Sequence, residues 1–469
     1  MDEETLAYTP AGELAALIRE KRISPVEVMR ATLARIERLQ PRLNAFAHLA
    51  ADAAMDAARA AENALMKGGQ IGRIHGVPVT IKDLAWVAGM PAQMGSHIFA
   101  GNVPPMDTPF VGRLKQQGGI VIGKTTTSEF GWTGVSRSPL TGITHNPWKH
   151  GMNAGASSAG AGVAAAAGLG HLHQGSDGAG SIRMPSHFCG VFGLKPTYGR
   201  IPYHPVGGGD NTAHIGPMSR TVADAALMME LMVGPSAWDH TTLETWPADY
   251  TGRLREGVKG KRIAYSPHLD HARVDPDVAT LVARAARRFE ELGAHVEEVK
   301  TPWAAEGPEL IRLTWPAHLA RLIPRLAEWE TRMDPGLVAC IKAGAHITMT
   351  DYQLGRERKY AYCARQLAWL EDWDFLLTPA VSVAAFPAEL LMPRHWPEHA
   401  WDWVSWAEFS YPFNFSGAPA ASVPCGFTPE GLPVGLQIVG KRFDDLGVLQ
   451  AAAAFEEIAP WADRRPPVG

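Results

Sequence analysis

Cysteine is scarce in this 469-residue chain: Cys189, Cys340, Cys363 and Cys425, with no C-x-x-C pair among them. That spacing supports neither a disulfide framework nor a thiolate zinc site, and it fits a reducing compartment. A surplus of one charge is missing too. Lys+Arg 44 against Asp+Glu 48 gives a formal charge of −4. No extended basic surface can follow from that balance, so nucleic acid is not an expected partner. Long apolar runs are absent as well. The blandest stretch, residues 161–170, is about half of what a membrane span needs, so no membrane partner is expected. The opening MDEETLAYTP is acidic where a secretory leader is basic and then apolar, and a cytoplasmic protein is the expectation. There is no internal repeat, no low-complexity linker and no G-x-S-x-G elbow of an α/β-hydrolase. His171 and His173 alternate as strand residues do but imply no third ligand, so neither metal nor cofactor is expected.

What is present describes a packed globular protein. Hydrophobic residues make up 46% and charged residues 20%, the balance of a globular interior. Residues 1–67 read as helices packed on the core. Ser24 caps one of them, with Pro25 at its first position and Glu27 completing a capping box. From Gly76 the period changes. The β-rich runs 77–81 and 119–123 flank a helix at 107–117, the strand–helix–strand unit of a parallel sheet. Residues 261–265, a helix over 275–292 and residues 295–299 repeat the pattern. Residues 302–373 read as a helical insertion on the substrate side, and 375–379 and 435–439 as returning strands of a C-terminal core segment, 375–457. With no flexible stretch between these parts, one α/β domain over residues 1–469 is expected, its sheet mixed, mostly parallel and twisted under a cover of helices.

Glycine is the surplus: 47 in all, with 15 in residues 151–210. Three readings compete. Close packing of small residues explains glycine and alanine together. A dinucleotide loop through Gly160 and Gly162 lacks the preceding strand it requires. The third uses the serines. Two glycine-rich loops carry Ser157-Ser158 and, about twenty residues on, Ser181. Consecutive N–H groups in such a turn form an anion nest, and a hydroxyl beside it has both a nucleophile and an oxyanion hole. The base is open between His187, near in sequence, and Lys82, which follows the run 77–81 and can lose its charge by desolvation.

The blocks Gly76-Val77-Pro78-Val79-Thr80-Ile81-Lys82-Asp83, residues 155–160 and residues 175–183 resemble the amidase signature family of serine hydrolases. Residues 189–200, the stretch 413–424 and Gly431-Leu432-Pro433-Val434-Gly435-Leu436-Gln437 extend the resemblance over about residues 70–210, the catalytic core, and 375–457. It implies the family's fold and a Ser-cisSer-Lys unit: Ser181 as nucleophile, Ser157 as the serine after a cis peptide bond, and Lys82 as the base. The N–H groups of Gly178, Ala179, Gly180 and Ser181 fall where the family builds its oxyanion hole. Asp177, Arg183 and Ser158 fall on supporting positions. The implied reaction is two-step acyl transfer with Lys82 neutral. This chain departs from the family's Gly-Gly-Ser-Ser-Gly-Gly-Ser pattern. Ala156, Ala159 and Ala161 replace Gly, Gly and Ser, and Ala179 replaces a Gly of the oxyanion loop. Alanine resists positive φ, so shifted loops are expected.

Trp396, Trp401, Trp403 and Trp406 crowd eleven residues before the C-terminal block. As an aromatic wall over the site, Trp401 and Trp403, with Trp86, Met90, Phe130 and Trp132, would select a bulky apolar or aryl group; as a packed loop they would simply be core. The expected substrate is a small amide, with esters and carbamates (urethanase-like activity) presenting the same carbonyl. The alternatives are the glutaminase-type A subunit of a tRNA-dependent amidotransferase, which resembles the same family, and a non-catalytic binding protein on the same fold. A homodimer is compatible with the sequence.

Overall fold

The structure, a computed structural model, describes residues 1–207, 209–244 and 249–468. Eleven strands among them build one sheet. In chain order they are β1 (Phe46–Leu49), β2 (Pro78–Lys82), β3 (Ile120–Thr125), β4 (Leu172–Asp177), β5 (Phe192–Lys195), β6 (His214–Ser219), β7 (Arg262–Tyr265), β8 (His295–Glu298), β9 (Phe375–Pro379), β10 (Ala420–Phe427) and β11 (Pro433–Gly440). Their order across the sheet is β1-β3-β2-β4-β6-β5-β10-β11-β9-β7-β8. Strands β3, β2 and β4 run parallel, as do β9, β7 and β8. Between these wings every pairing from β4 to β9 is antiparallel. The sheet is therefore mixed. The expectation of a mostly parallel sheet describes its wings but not its centre. There, β10 and β11 are joined by a turn too short for a parallel crossover.

The first 67 residues are not all helical: Phe46–Leu49 pairs antiparallel with β3 as the sheet's edge. The helices around it form as the sequence dictates. Ser24 and Glu27 make the capping box of the helix Pro25–Leu43, and the alanine-rich helix Ala51–Met66 follows. Strands β4, β5 and β6 carry Gly, His, Gln, Ser and Lys where a propensity reading wants Val and Ile. They are strands because they are wholly buried between partners that satisfy their backbone.

The insertion holds the helices Gly307–Leu319, Ile323–Trp329, Pro335–Gly344 and Met349–Leu370. Two apolar clusters flank the sheet. One gathers Val79, Ile81, Val434, Leu436 and Ile438 with the helices Val222–Met232 and Asp445–Ile458. The other gathers the N-terminal helices and Ala159–Ala167. Successive strand residues alternate faces. With Val79 and Ile81 committed to the first cluster, Thr80 and Lys82 are turned to the opposite face, where the serine loops lie.

Candidate active site

Lys82 ends β2 with no exposed surface. Its Nζ lies 2.8 Å from Ser157 Oγ, 2.9 Å from Ser158 Oγ, 3.0 Å from Ser176 Oγ and 3.3 Å from the Ser176 carbonyl. Burial drives its pKa well below the usual lysine value, against a weaker pull from the charge of Asp177. No carboxylate pairs with it among the described residues.

The hydrogens can be counted. Ser158 donates its hydroxyl to the Ser176 carbonyl at 3.1 Å and accepts the Ser176 N–H at 3.2 Å, so toward Lys82 it is an acceptor. The Ser176 carbonyl accepts as well. A neutral amine has two hydrogens and one lone pair. With both hydrogens donated, the lone pair receives a hydroxyl from Ser157 or Ser176.

Ser157 follows a cis peptide bond, Ala156–Ser157. Ser158 precedes the helix Ala159–Ala167 and donates its N–H to the Ser181 carbonyl at 3.1 Å, tying the two serine loops together. The expectation of shifted loops is corrected here. Positive φ falls on Gly155 (75°) and Gly180 (110°), and on none of the four alanines. A Cβ on Gly155 would come within 2.6 Å of the Pro185 backbone. Ala159 and Ala161 are helical, where alanine is the better residue.

Asp177 and Arg183 brace the second loop. Burial opposes a charge on Asp177, but the Arg183 guanidinium and hydrogen bonds from Arg183 and Asn414 hold its carboxyl well below the usual range. Arg183 Nη2 donates to Asp177 Oδ1 at 2.9 Å and Nε to Oδ2 at 3.0 Å, while Nη1 reaches the Ser410 carbonyl and Gln437. Asp177 also takes the N–H of Gly180 at 2.6 Å and of Ile182 at 3.1 Å. That corrects one expected donor: the Gly180 amide is committed to Asp177 and is turned away from any oxyanion. Among the described residues no protein acceptor takes the amides of Gly178, Ala179 or Ser181.

A cavity of about 160 Å³ opens over these groups; its lining includes Ser157, Ser181, Gly178, Leu84, Phe130, Trp132, Tyr203, Trp315, His318, Leu319 and Arg321. That volume takes roughly one benzene ring. Of the six expected substrate contacts, Phe130 and Trp132 line the cavity and four do not. Trp86 packs edge-on against His204, and Met90 packs on the main core cluster. Trp403 belongs to a buried aromatic cluster, and Trp401, half-buried, packs against it. Trp403 meets Trp315 edge-to-face at 5.6 Å, so it supports a lining residue without being one. Within the Trp-rich stretch, Trp403 and Trp406 are core, packed on each other and on Phe386, while Trp401 is half-buried against His399.

Trp315 and His318, on the helix Gly307–Leu319, carry no sequence signal. Asn414 and Gln437 do, since both stand in the C-terminal blocks. His187 is buried, its Nδ1 accepting from the Gly435 N–H at 2.9 Å and its Nε2 beside the Val383 carbonyl, far from a role as base. His171 and His173 bond to the Leu6 carbonyl and Thr80. No group of three or more His, Cys, Asp or Glu among the described residues is placed to hold a metal. No helix among them is long and apolar enough to cross a membrane.

The family model described as Amidase matches residues 27–449. The chain belongs to the amidase family. It is accordingly an enzyme of amide C–N hydrolysis. It is 38% identical to an acylamidase of Rhodococcus erythropolis over 99% of this chain and 98% of that one. To the glutamyl-tRNA(Gln) amidotransferase A subunit of Moorella thermoacetica it is 33% identical, over 99% of each. The crystal structure of a bacterial aryl acylamidase of the amidase signature enzymes superposes with a TM-score of 0.90 at 29% identity, covering 97% of both chains.

Proposed function

We propose that this amidase cleaves small amides with a bulky or aryl group by forming an acyl-enzyme on Ser181. The observation that carries the reading is the 2.8 Å contact between Ser157 Oγ and a buried Lys82 stripped of any carboxylate partner. Neutral Lys82 accepts the Ser157 proton as Ser157 accepts that of Ser181, whose oxygen attacks the carbonyl carbon. The developing oxyanion is met by the amides of Gly178, Ala179 and Ser181; losing one such donor costs about 3 kcal/mol. Ser157 returns the proton to the departing nitrogen, and water then releases the acid. Esters and carbamates offer the same carbonyl and fall within the reading.

Incubation with an aryl amide followed by mass spectrometry should show one acyl group on Ser181. Ser181→Ala should lose at least roughly 10⁴-fold in kcat; an unchanged rate would refute the mechanism.

The likeness to amidotransferase A subunits keeps a glutaminase as the second reading. The rings of Phe130, Trp132 and Trp315 beside Leu84 favour the stand-alone amidase, and Arg321 is the one cation among the described residues of that lining that a substrate carboxylate would meet. Purified chain alone, assayed on glutamine and on a p-nitroanilide, separates the two: turnover of the anilide without glutamine hydrolysis supports the first.

A further inference from the structure

Glu129 stands one residue before the cavity wall and is fully buried. Each of its oxygens is used. Oε1 accepts the Ser96 hydroxyl at 2.7 Å, and Oε2 accepts the N–H of Asp334 at 2.7 Å. Asp334 caps the insertion helix Pro335–Gly344, so this carboxylate joins the insertion to the segment 128–132.

That segment is held in an uncommon shape. Phe130 has φ 52° and ψ 11°, left-handed geometry for a bulky residue, and Gly131 has φ 72°. Phe130 donates its N–H to the Met94 carbonyl at 2.8 Å, and Trp132 donates its N–H to the Glu129 carbonyl at 3.1 Å. The turn brings Gly131 against the catalytic cluster: a Cβ there would stand 3.0 Å from Ser157 Oγ. The Trp132 carbonyl in turn accepts the indole N–H of Trp315 at 3.1 Å.

Resting on the reading of Ser157 as proton relay, we propose that Glu129 is a positioning residue: it holds Phe130 and Gly131 in their left-handed turn, and through Gly131 it sets where the Ser157 hydroxyl stands between Lys82 and Ser181. Glutamine is the informative substitution. It keeps the shape, but its amide nitrogen must face one of two donors, Ser96 Oγ or Asp334 N–H, so one anchor is weakened.

The test is steady-state kinetics on one anilide for Glu129→Gln, Ser157→Ala and the double variant, with thermal melting as a check on folding. A displacement of the relay hydroxyl by a fraction of an ångström predicts a fall in kcat of about 10- to 100-fold with KM within about threefold. In the Ser157→Ala background the second substitution should have no further effect on kcat. Gly131→Ala, which leaves the carboxylate alone, should reproduce the kcat loss. Wild-type kcat in Glu129→Gln, or the same factor lost in the Ser157→Ala background, overturns the proposal. Should Glu129→Gln not fold, folded Gly131→Ala decides it, and wild-type kcat there overturns it too. Wild-type kcat in Ser157→Ala itself would instead sink the relay reading.

Discussion

Two lysines stand at the ends of neighbouring parallel strands, Lys82 on β2 and Lys124 on β3, and both side chains are fully buried. Lys124 faces Asp83 at 3.7 Å and donates to the carbonyls of Ala85 at 2.7 Å and Pro91 at 3.1 Å. Burial lowers its pKa to about 8, with Asp83 pulling the other way. Lys82 has serine hydroxyls instead of a carboxylate, and burial takes it well below the usual value. Burial lowers both pKa values, and the partner decides how strongly it is opposed: Asp83 beside Lys124, and only the more distant Asp177 for Lys82. The paired lysine belongs to the scaffold; the one ringed by hydroxyls is the candidate base.

The largest effect should separate the two in activity. Lys82→Met is expected to lower kcat by roughly 10³-fold, the scale of a lost general base. It should leave thermal stability at neutral pH equal or higher, since a residue that must be stripped of water and proton is gone. A kcat within tenfold of wild type would break the contrast. Lys124→Met should act the other way round. It leaves the Asp83 carboxylate buried without its cation, a loss of about 3–5 kcal/mol in a denaturant titration, while kcat of the folded fraction stays within about threefold.

A smaller effect concerns the walls. Trp315→Ala should change the ratio of kcat/KM for aryl over short aliphatic amides by about tenfold, the worth of a lost ring contact. Trp401→Ala, outside the cavity lining, should leave that ratio unchanged. Equal shifts from both would return the Trp-rich stretch to the pocket.

The smallest is the pH dependence of stability. Both lysines have folded pKa values below that of the unfolded chain, so the unfolded state binds more protons in the window between. Stability therefore rises with pH up to about 10.5 and is lost on acidification. For Lys124 the window opens at about 8. Lys124→Met should flatten the melting-temperature profile between about pH 8 and 10.5, and Lys82→Met should flatten it on the acid side of pH 10.5.

How much of this could be read in advance depended on where the partners lie. Lys82, Ser157 and Ser181 stand in short contiguous blocks, and Asp177 and Arg183 are six residues apart in one loop, so local sequence was enough to single them out. The helix bearing Trp315 and His318 differs from other amphipathic helices only in what it packs against. Trp401 and Trp403 were legible as aromatic, but composition does not say which side of a cavity wall a ring occupies. The Gly180 amide shows the same limit at the scale of one bond. A glycine-rich loop announces donors, yet the Asp177 side chain had already claimed one of them.

By itself the sequence determined the chemistry available to this amidase: serines, a lysine at a strand end, and a glycine wherever φ turns positive in the serine loops. It also determined the local devices, such as the Ser24–Glu27 cap, because those depend on residues within one turn of each other. The tertiary structure decided the antiparallel centre of the sheet, the aromatic faces of the cavity and the burial that lowers the pKa of Lys82. Pairing, facing and desolvation are set by distances between residues far apart in the chain, and only the packed fold brings those distances to a few ångströms.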